Sequence, residues 1–247
     1  MIQFDHIWKI YPKQIGIKAH TALKNVSFFL DKGETLGLVG ANGAGKSTCM
    51  RLLMDFIRPD KGTIRLLSES PSNPAIRRKI GYLPETACFP SNLSVMDMLR
   101  FTGAACHISS APLSESIEKW LKLLNLWEVR NRPLRIYSKG MQQRANFAIA
   151  LVCDPELLIL DEPMSGLDPI GRDDIISLIQ MLKAEGKSIL FCSHLLEDVD
   201  RLVDRVLVLH KGEMLFHGKP SDLCERRQSS SFVDAFIGLV KMKNDNA

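Results

Sequence analysis

The sequence predicts an α/β fold: a core built on a mostly parallel sheet, an N-terminal antiparallel β-subdomain and a helical insertion. Three observations carry that reading. A short apolar strand, Thr35–Val39, runs straight into a glycine-rich loop and then into helical spacing, the strand-loop-helix order of phosphate-binding α/β proteins. From residue 141 onward, helical spacings alternate with short apolar runs. Between residues 85 and 135 that alternation stops, and Leu93, Met96, Leu99, Ile117, Leu121 and Leu124 recur at spacings of three and four, as in helices.

Taken in order, residues 2–10 and 22–30 alternate in polarity around a stretch containing Pro12 and Gly16, and read as paired antiparallel strands. After the strand at 35–39, residues 46–57 read as a helix closed by Pro59 and Gly62. A short strand precedes Glu85. Helices follow over 141–153, 172–184 and 195–202, interleaved with strands at 157–160, 188–192, 206–209 and 214–217. The expected organisation is a catalytic unit over 1–225, with a helical subdomain at about 86–140 inserted, and a tail over 226–247. The tail has a serine run and one apolar segment, 232–240, whose placement the sequence leaves open.

With 247 residues, 45% hydrophobic and 24% charged, the chain has ordinary globular composition and enough length for a sizeable core. A net charge of +4, with only short basic clusters, points away from nucleic acid as a partner. Cys49, Cys88, Cys106, Cys153, Cys192 and Cys224 form no C-x-x-C pair, which suits reduced thiols in the cytosol. The N-terminus lacks the pattern of a signal peptide, and no apolar run reaches the roughly 18 residues of a membrane span. Any membrane role is therefore expected through a partner.

Two motifs carry phosphate chemistry. Gly40 to Ser47, GANGAGKS, fits G-x-x-x-x-G-K-[ST]. Its glycines Gly40, Gly43 and Gly45 let backbone N–H groups turn onto phosphate oxygens, and the helix N-terminus adds positive charge. Asn42, Ala44 and Thr48 complete the candidate ATP-binding segment. Lys46 is placed to reach the β- and γ-phosphates, and the Ser47 hydroxyl to bind Mg²⁺. Residues 157–163, LLILDEP, form an apolar strand ending in two carboxylates. Asp161 there is the metal-site candidate, and Glu162 the residue to orient and deprotonate water.

Those motifs alone would serve many nucleotide enzymes, small-molecule kinases included. Tyr137-Ser138-Lys139-Gly140-Met141-Gln142-Gln143-Arg144, opening a helix shortly before the acidic strand, narrows the class. Here the chain resembles the ATP-binding-cassette (ABC) family, whose signature usually reads LSGGQ. The resemblance spans roughly residues 2–222. It implies an aromatic against adenine at Tyr11, a D-loop at Ser165, Gly166, Leu167 and Asp168, and a switch histidine at His194. It also implies that Ser138 and Gly140 complete the γ-phosphate shell of a second, head-to-tail copy of the chain.

Two departures from the family pattern occur. Tyr137, Lys139 and Met141 replace the commoner Leu, Gly and Gln of the signature. Glu85 stands where a glutamine usually links the metal to the transporter. Both variants resemble the cassettes of ABC-2-type exporters. The expectation is thus an ATPase with ATP and Mg²⁺ as cofactors, catalytic Glu162, His194 and Lys46, and metal contacts at Ser47, Glu85 and Asp161. It would work at the cytoplasmic face of a membrane, bound to a separate permease that docks near Glu85, where Phe89, Leu93 and Phe101 offer apolar anchors. A soluble, non-transport member of the same family and a metabolite kinase are the rival readings. The first usually brings coiled coils or a second cassette, and the second has no use for Ser138, Gly140 or His194.

Overall fold

A computed structural model describes residues 1–12, 19–86, 89–90 and 92–245; Gly16 and Cys88 lie outside them. Six strands form the main sheet in the order β5-β6-β7-β3-β8-β9. These are β3 (Thr35–Val39), β5 (Ile80–Leu83), β6 (Leu157–Asp161), β7 (Ser188–Cys192), β8 (Arg205–His210) and β9 (Glu213–Gly218). Every pairing among them is parallel except β8 with β9. Strands β3, β6 and β7 are buried along their whole length, as their unbroken apolar runs require of strands covered on both faces.

The period-two alternation of these strands divides the interior into two cores. Leu158, Leu160, Ile189, Phe191, Val206 and Val208 face one, shared with the helices of the insertion. Leu157, Ile159, Leu190, Cys192, Leu207 and Leu209 face the other, shared with helix α1 (Lys46–Leu53) and a three-stranded antiparallel sheet. That second sheet has the order β2-β1-β4, from β1 (Ile2–Tyr11), β2 (His20–Leu30) and β4 (Lys61–Leu66). Strand β4 is not evident from the sequence, because only Ile64 and Leu66 of its six residues are buried and Pro59 and Gly62 read as a helix stop.

Helix α1 also ends earlier than its spacing suggests. Asp55 takes a left-handed φ of 56°, and Phe56 N–H then donates to Arg51 O at 2.9 Å, a capped helix end before residue 57 is reached. The insertion contains α2 (Val95–Ala105) and α3 (Ser110–Leu123), around Leu99, Ile117, Trp120 and Leu121. A reciprocal cap starts α2: Ser94 Oγ accepts from Asp97 N–H at 3.1 Å while the Asp97 carboxylate accepts from Ser94 N–H at 3.0 Å. The insertion is clasped at its base, where Leu134 N–H donates to Leu93 O at 2.8 Å and Ser94 bridges Pro133.

Helices α4 (Lys139–Leu151), α5 (Pro169–Ala184) and α6 (Leu196–Leu202) connect the remaining strands. Helix α7 (Pro220–Arg227) runs across the expected boundary at residue 225 into the tail, which then forms α8 (Phe232–Asp245). Phe232 and Ala235 of α8 bury themselves with Leu223 and Phe216 in the larger core.

Candidate functional site

Strand β3 lies between β7 and β8, so the loop that leaves its C-terminal end emerges at the middle of the sheet. There the chain must pass close to its neighbours. A Cβ at Gly40 would collide with the Leu209 carbonyl, and one at Gly45 would sit 2.7 Å from Leu23 Cδ2 and 2.9 Å from Ala22 O. Gly45 moreover has a φ of +115°, which L side chains rarely adopt. Helix α1 begins at the next residue. Lys46 is buried, and its Nζ donates to Gly40 O at 2.7 Å and Ala41 O at 3.4 Å, which curls the loop around the ammonium.

Tyr11, His20, Ala22 and residues 42–48 line a cavity of about 200 Å³ over this loop. Gly43, Ala44, Ser47 and Thr48 are thus gathered with Asn42 and Lys46. The Tyr11 hydroxyl is buried with no hydrogen-bond partner among the described residues, so the ring is placed for its face, not for its oxygen. His20 is Tyr11's direct partner in the β1–β2 register. Sequence reasoning missed His20; the antiparallel pairing across residues 11 and 20 was the signal that would have found it.

The carboxylates gather at the C-terminal ends of β6 and β7. Asp161 closes β6 opposite Cys192 and is only 8% exposed. Burial, then the charges of Glu85 and Glu162, push its carboxyl up to about 6, against a lowering pull from Lys46. Lys46, Glu85, Asp161 and Glu162 therefore share one electrostatic neighbourhood. Glu162 follows with a left-handed φ of 49°, an uncommon conformation for a residue with a side chain. Its N–H donates to Cys192 O at 3.2 Å and its carbonyl accepts from Ser165 N–H at 3.0 Å. His194, just past β7, sets its Nδ1 at 2.8 Å from Glu162 Oε2. An ionised carboxylate can only accept, so this contact calls for the proton on Nδ1.

Oxygen donors at Ser47 and Asp161 suit a hard cation such as Mg²⁺, which takes few protein ligands beside phosphates and water. The accumulated negative charge that lifts Asp161 is what such a cation would neutralise. Among the described residues no group of three or more His, Cys, Asp or Glu forms a metal cage.

Ser138 caps α4, its Oγ accepting from Met141 N–H at 3.2 Å. A Cβ added at Gly140 would sit 3.6 Å from Leu167 Cδ2 of the same chain, an ordinary contact. Asp168 caps α5 by accepting from Gly171 N–H at 2.8 Å, which closes the loop formed by Ser165, Gly166 and Leu167. Among the described residues no hydrogen bond joins Ser138 or Gly140 to the phosphate loop. Two buried amides on α4, Gln143 and Asn146, also escape a reading of the sequence. Polar residues in a helical pattern read as a solvated face, and only packing reveals otherwise. Of the apolar residues near Glu85, Phe89 packs on the larger core, whereas Leu93 is exposed and Phe101 is 71% exposed.

A profile of the family described as ABC transporter matches residues 23–165. An uncharacterised ABC transporter ATP-binding protein of Bacillus subtilis, YxlF, is 35% identical over 233 residues, which cover 94% of this chain and 76% of that protein. The linearmycin resistance ATP-binding protein LnrL of the same organism is 33% identical over 242 residues, covering 97% of this chain and 76% of LnrL. A solved structure of the ATP binding subunit of an ABC transporter superposes with a TM-score of 0.88 at 28% identity, covering 97% of this chain and 99% of its own. The dimeric structure of MJ0796, a bacterial ABC transporter cassette, gives a TM-score of 0.79 at 25% identity over 89% of this chain and 98% of its own. The phosphate loop, the carboxylate pair with its histidine and these likenesses agree: the chain belongs to the ABC transporter family, as one of its ATP-binding cassettes.

Proposed function

We propose that the chain hydrolyses ATP as the motor subunit of an ABC-2-type exporter and drives a separate membrane permease by closing on a second copy of itself. The observation that carries the reading is the Glu162–His194 pair, 2.8 Å apart and placed where Asp161 and Lys46 share a field. Adenine stacks on Tyr11 and the phosphates lie along residues 40–48, held by backbone N–H groups and Lys46. Glu162 takes a proton from a water molecule as its oxygen attacks the γ-phosphorus in line. The bond to the β,γ-bridging oxygen breaks, leaving ADP and phosphate. The His194 ring, held by Glu162, turns Nε2 toward the γ-phosphate oxygens where charge redistributes. Mg²⁺, held by Ser47 and Asp161 with Glu85 near, would neutralise the β- and γ-phosphate oxygens.

Among the described residues Ser138 and Gly140 make no hydrogen bond to their own phosphate loop, which favours action on the nucleotide of a head-to-tail partner. MJ0796 crystallised as a dimer, and LnrL is named for resistance to linearmycin; both support the reading of a dimeric exporter. Residues 1–225 supply the catalytic body. The exposed Phe101 and Leu93 are the apolar groups offered to the permease at the cytoplasmic membrane surface.

Glu162→Gln tests the centre of this reading. ATP should still bind, turnover should fall by orders of magnitude, and an ATP-dependent dimer should persist through gel filtration. Hydrolysis at the parental rate would remove Glu162 from the mechanism.

A further inference from the structure

Helix α4 carries two amides that reach past its own backbone. Gln143 is 6% exposed, and its Nε2 donates at 2.8 Å to the carbonyl of Pro163, the residue after Glu162. Asn146 is 4% exposed, and its Nδ2 donates at 3.2 Å to the carbonyl of Pro84, the residue before Glu85. Three positions apart, the two amides share one face of the helix. An aliphatic residue would fill either position without the desolvation that a buried amide incurs unless paired. What the amides supply instead is a fixed distance between α4 and two carboxylate-bearing segments.

Those segments need holding. Glu162 keeps a left-handed backbone, with a φ of 49°, that persists only where its surroundings over-determine it. The same helix presents Ser138 at its N-terminal cap, about a turn and a half before Gln143. Because buried side chains are close-packed, a small displacement of α4 is passed on, not absorbed.

We propose that Gln143 and Asn146 are positioning residues that make α4 a strut: they tie the backbones of Glu162 and Glu85 to Ser138, so that engagement of Ser138 with a phosphate sets both carboxylates at once. The proposal rests on Glu162 being the carboxylate that acts on water. It links the nucleotide touched by Ser138 to the carboxylates of the chain's own site through two side-chain hydrogen bonds.

A double-mutant cycle on the full chain tests it. Gln143→Met and Asn146→Leu keep the volume and remove the donor. Each should lower kcat about 10- to 100-fold, the effect of misplacing a reacting group by about 1 Å, while KM for ATP stays within about twofold. On a Glu162→Gln background, Gln143→Met should cost nothing further in single-turnover rate, since it acts through the carboxylate already removed. In the nucleotide-free protein, amides at 164–167 should exchange faster in Gln143→Met while those of β3 and β7 keep the parental rate. An unchanged kcat, or a loss that multiplies with that of Glu162→Gln, overturns the strut. If Gln143→Met does not fold, Gln143→Leu, which also lacks the donor and adds no charge, is read by the same criteria. A parental rate in Glu162→Gln itself would instead overturn the assignment of Glu162, so the two failures are distinguishable.

Discussion

Asp161→Asn should make the nucleotide-free chain more stable while destroying its activity. In the parent, the Asp161 carboxyl is raised from 3.8 to about 6 by burial and by Glu85 and Glu162. A carboxyl held that far above its ordinary value has its charged form disfavoured by about 3 kcal/mol, and partial solvent contact trims this to ~2 kcal/mol. The sign follows from proton binding. The folded state holds the Asp161 proton more tightly than the unfolded chain, so this group's contribution to stability is fully present below about pH 4 and is lost as pH rises through about 6. Asparagine has no such charge. Its gain over the parent should be absent near pH 4, grow up to pH 6 and stay level above. At pH 7.5 it should raise the thermal midpoint by about 4–8 °C for a chain of this size. The assay is thermal and urea unfolding in EDTA without nucleotide at several pH values. An Asp161→Asn chain no more stable than the parent at pH 7.5, or equally stabilised at pH 4, would refute the account of a self-repelling carboxylate cluster.

Other perturbations follow from single positions. Gly45→Ala should destabilise the chain by at least ~2 kcal/mol and abolish nucleotide binding, measured by urea unfolding and equilibrium dialysis, because Leu23 and Ala22 already occupy the space. Tyr11→Phe should bind ATP as the parent does, since the hydroxyl has no partner among the described residues, whereas Tyr11→Ala should weaken binding about tenfold through lost stacking. Asp198 receives Arg172 Nε at 2.9 Å and Nη2 at 2.8 Å, which joins α6 to α5. Asp198→Ala should lower stability by about 2 kcal/mol, and Asp198→Asn by less, in the same unfolding assay.

What the sequence disclosed is what local chemistry dictates. A strand that turns sharply into a helix needs glycine at fixed offsets, and a buried parallel strand needs an unbroken apolar run; hence the strand-loop-helix from β3 to α1 and the strand β6 could be read directly. The antiparallel N-terminal strands and the helical insertion were legible through periodicity. Long-range features were not. His20 joins the cavity over residues 42–48 only through strand register, and Gln143 and Asn146 acquire partners only when α4 packs on Pro163 and Pro84. Strand β4 shows too little alternation to announce itself, and the end of α1 turns on the left-handed conformation of Asp55. The burial of Phe232 and Ala235 depends on a surface assembled from distant segments, so the tail's position was open until the fold was seen.

The clasp at the base of the insertion has an evolutionary consequence. With Leu93 bonded to Leu134 and Ser94 bridged to Pro133, the two ends of the intervening segment meet regardless of what lies between. The entropy of closing a loop grows only slowly with its length, so residues added at the exposed turn between α2 and α3 perturb the sheet little, provided that Leu99, Ile117, Trp120 and Leu121 keep their places in the core. A chain built this way can change the shape it shows to a partner while its chemistry is inherited intact.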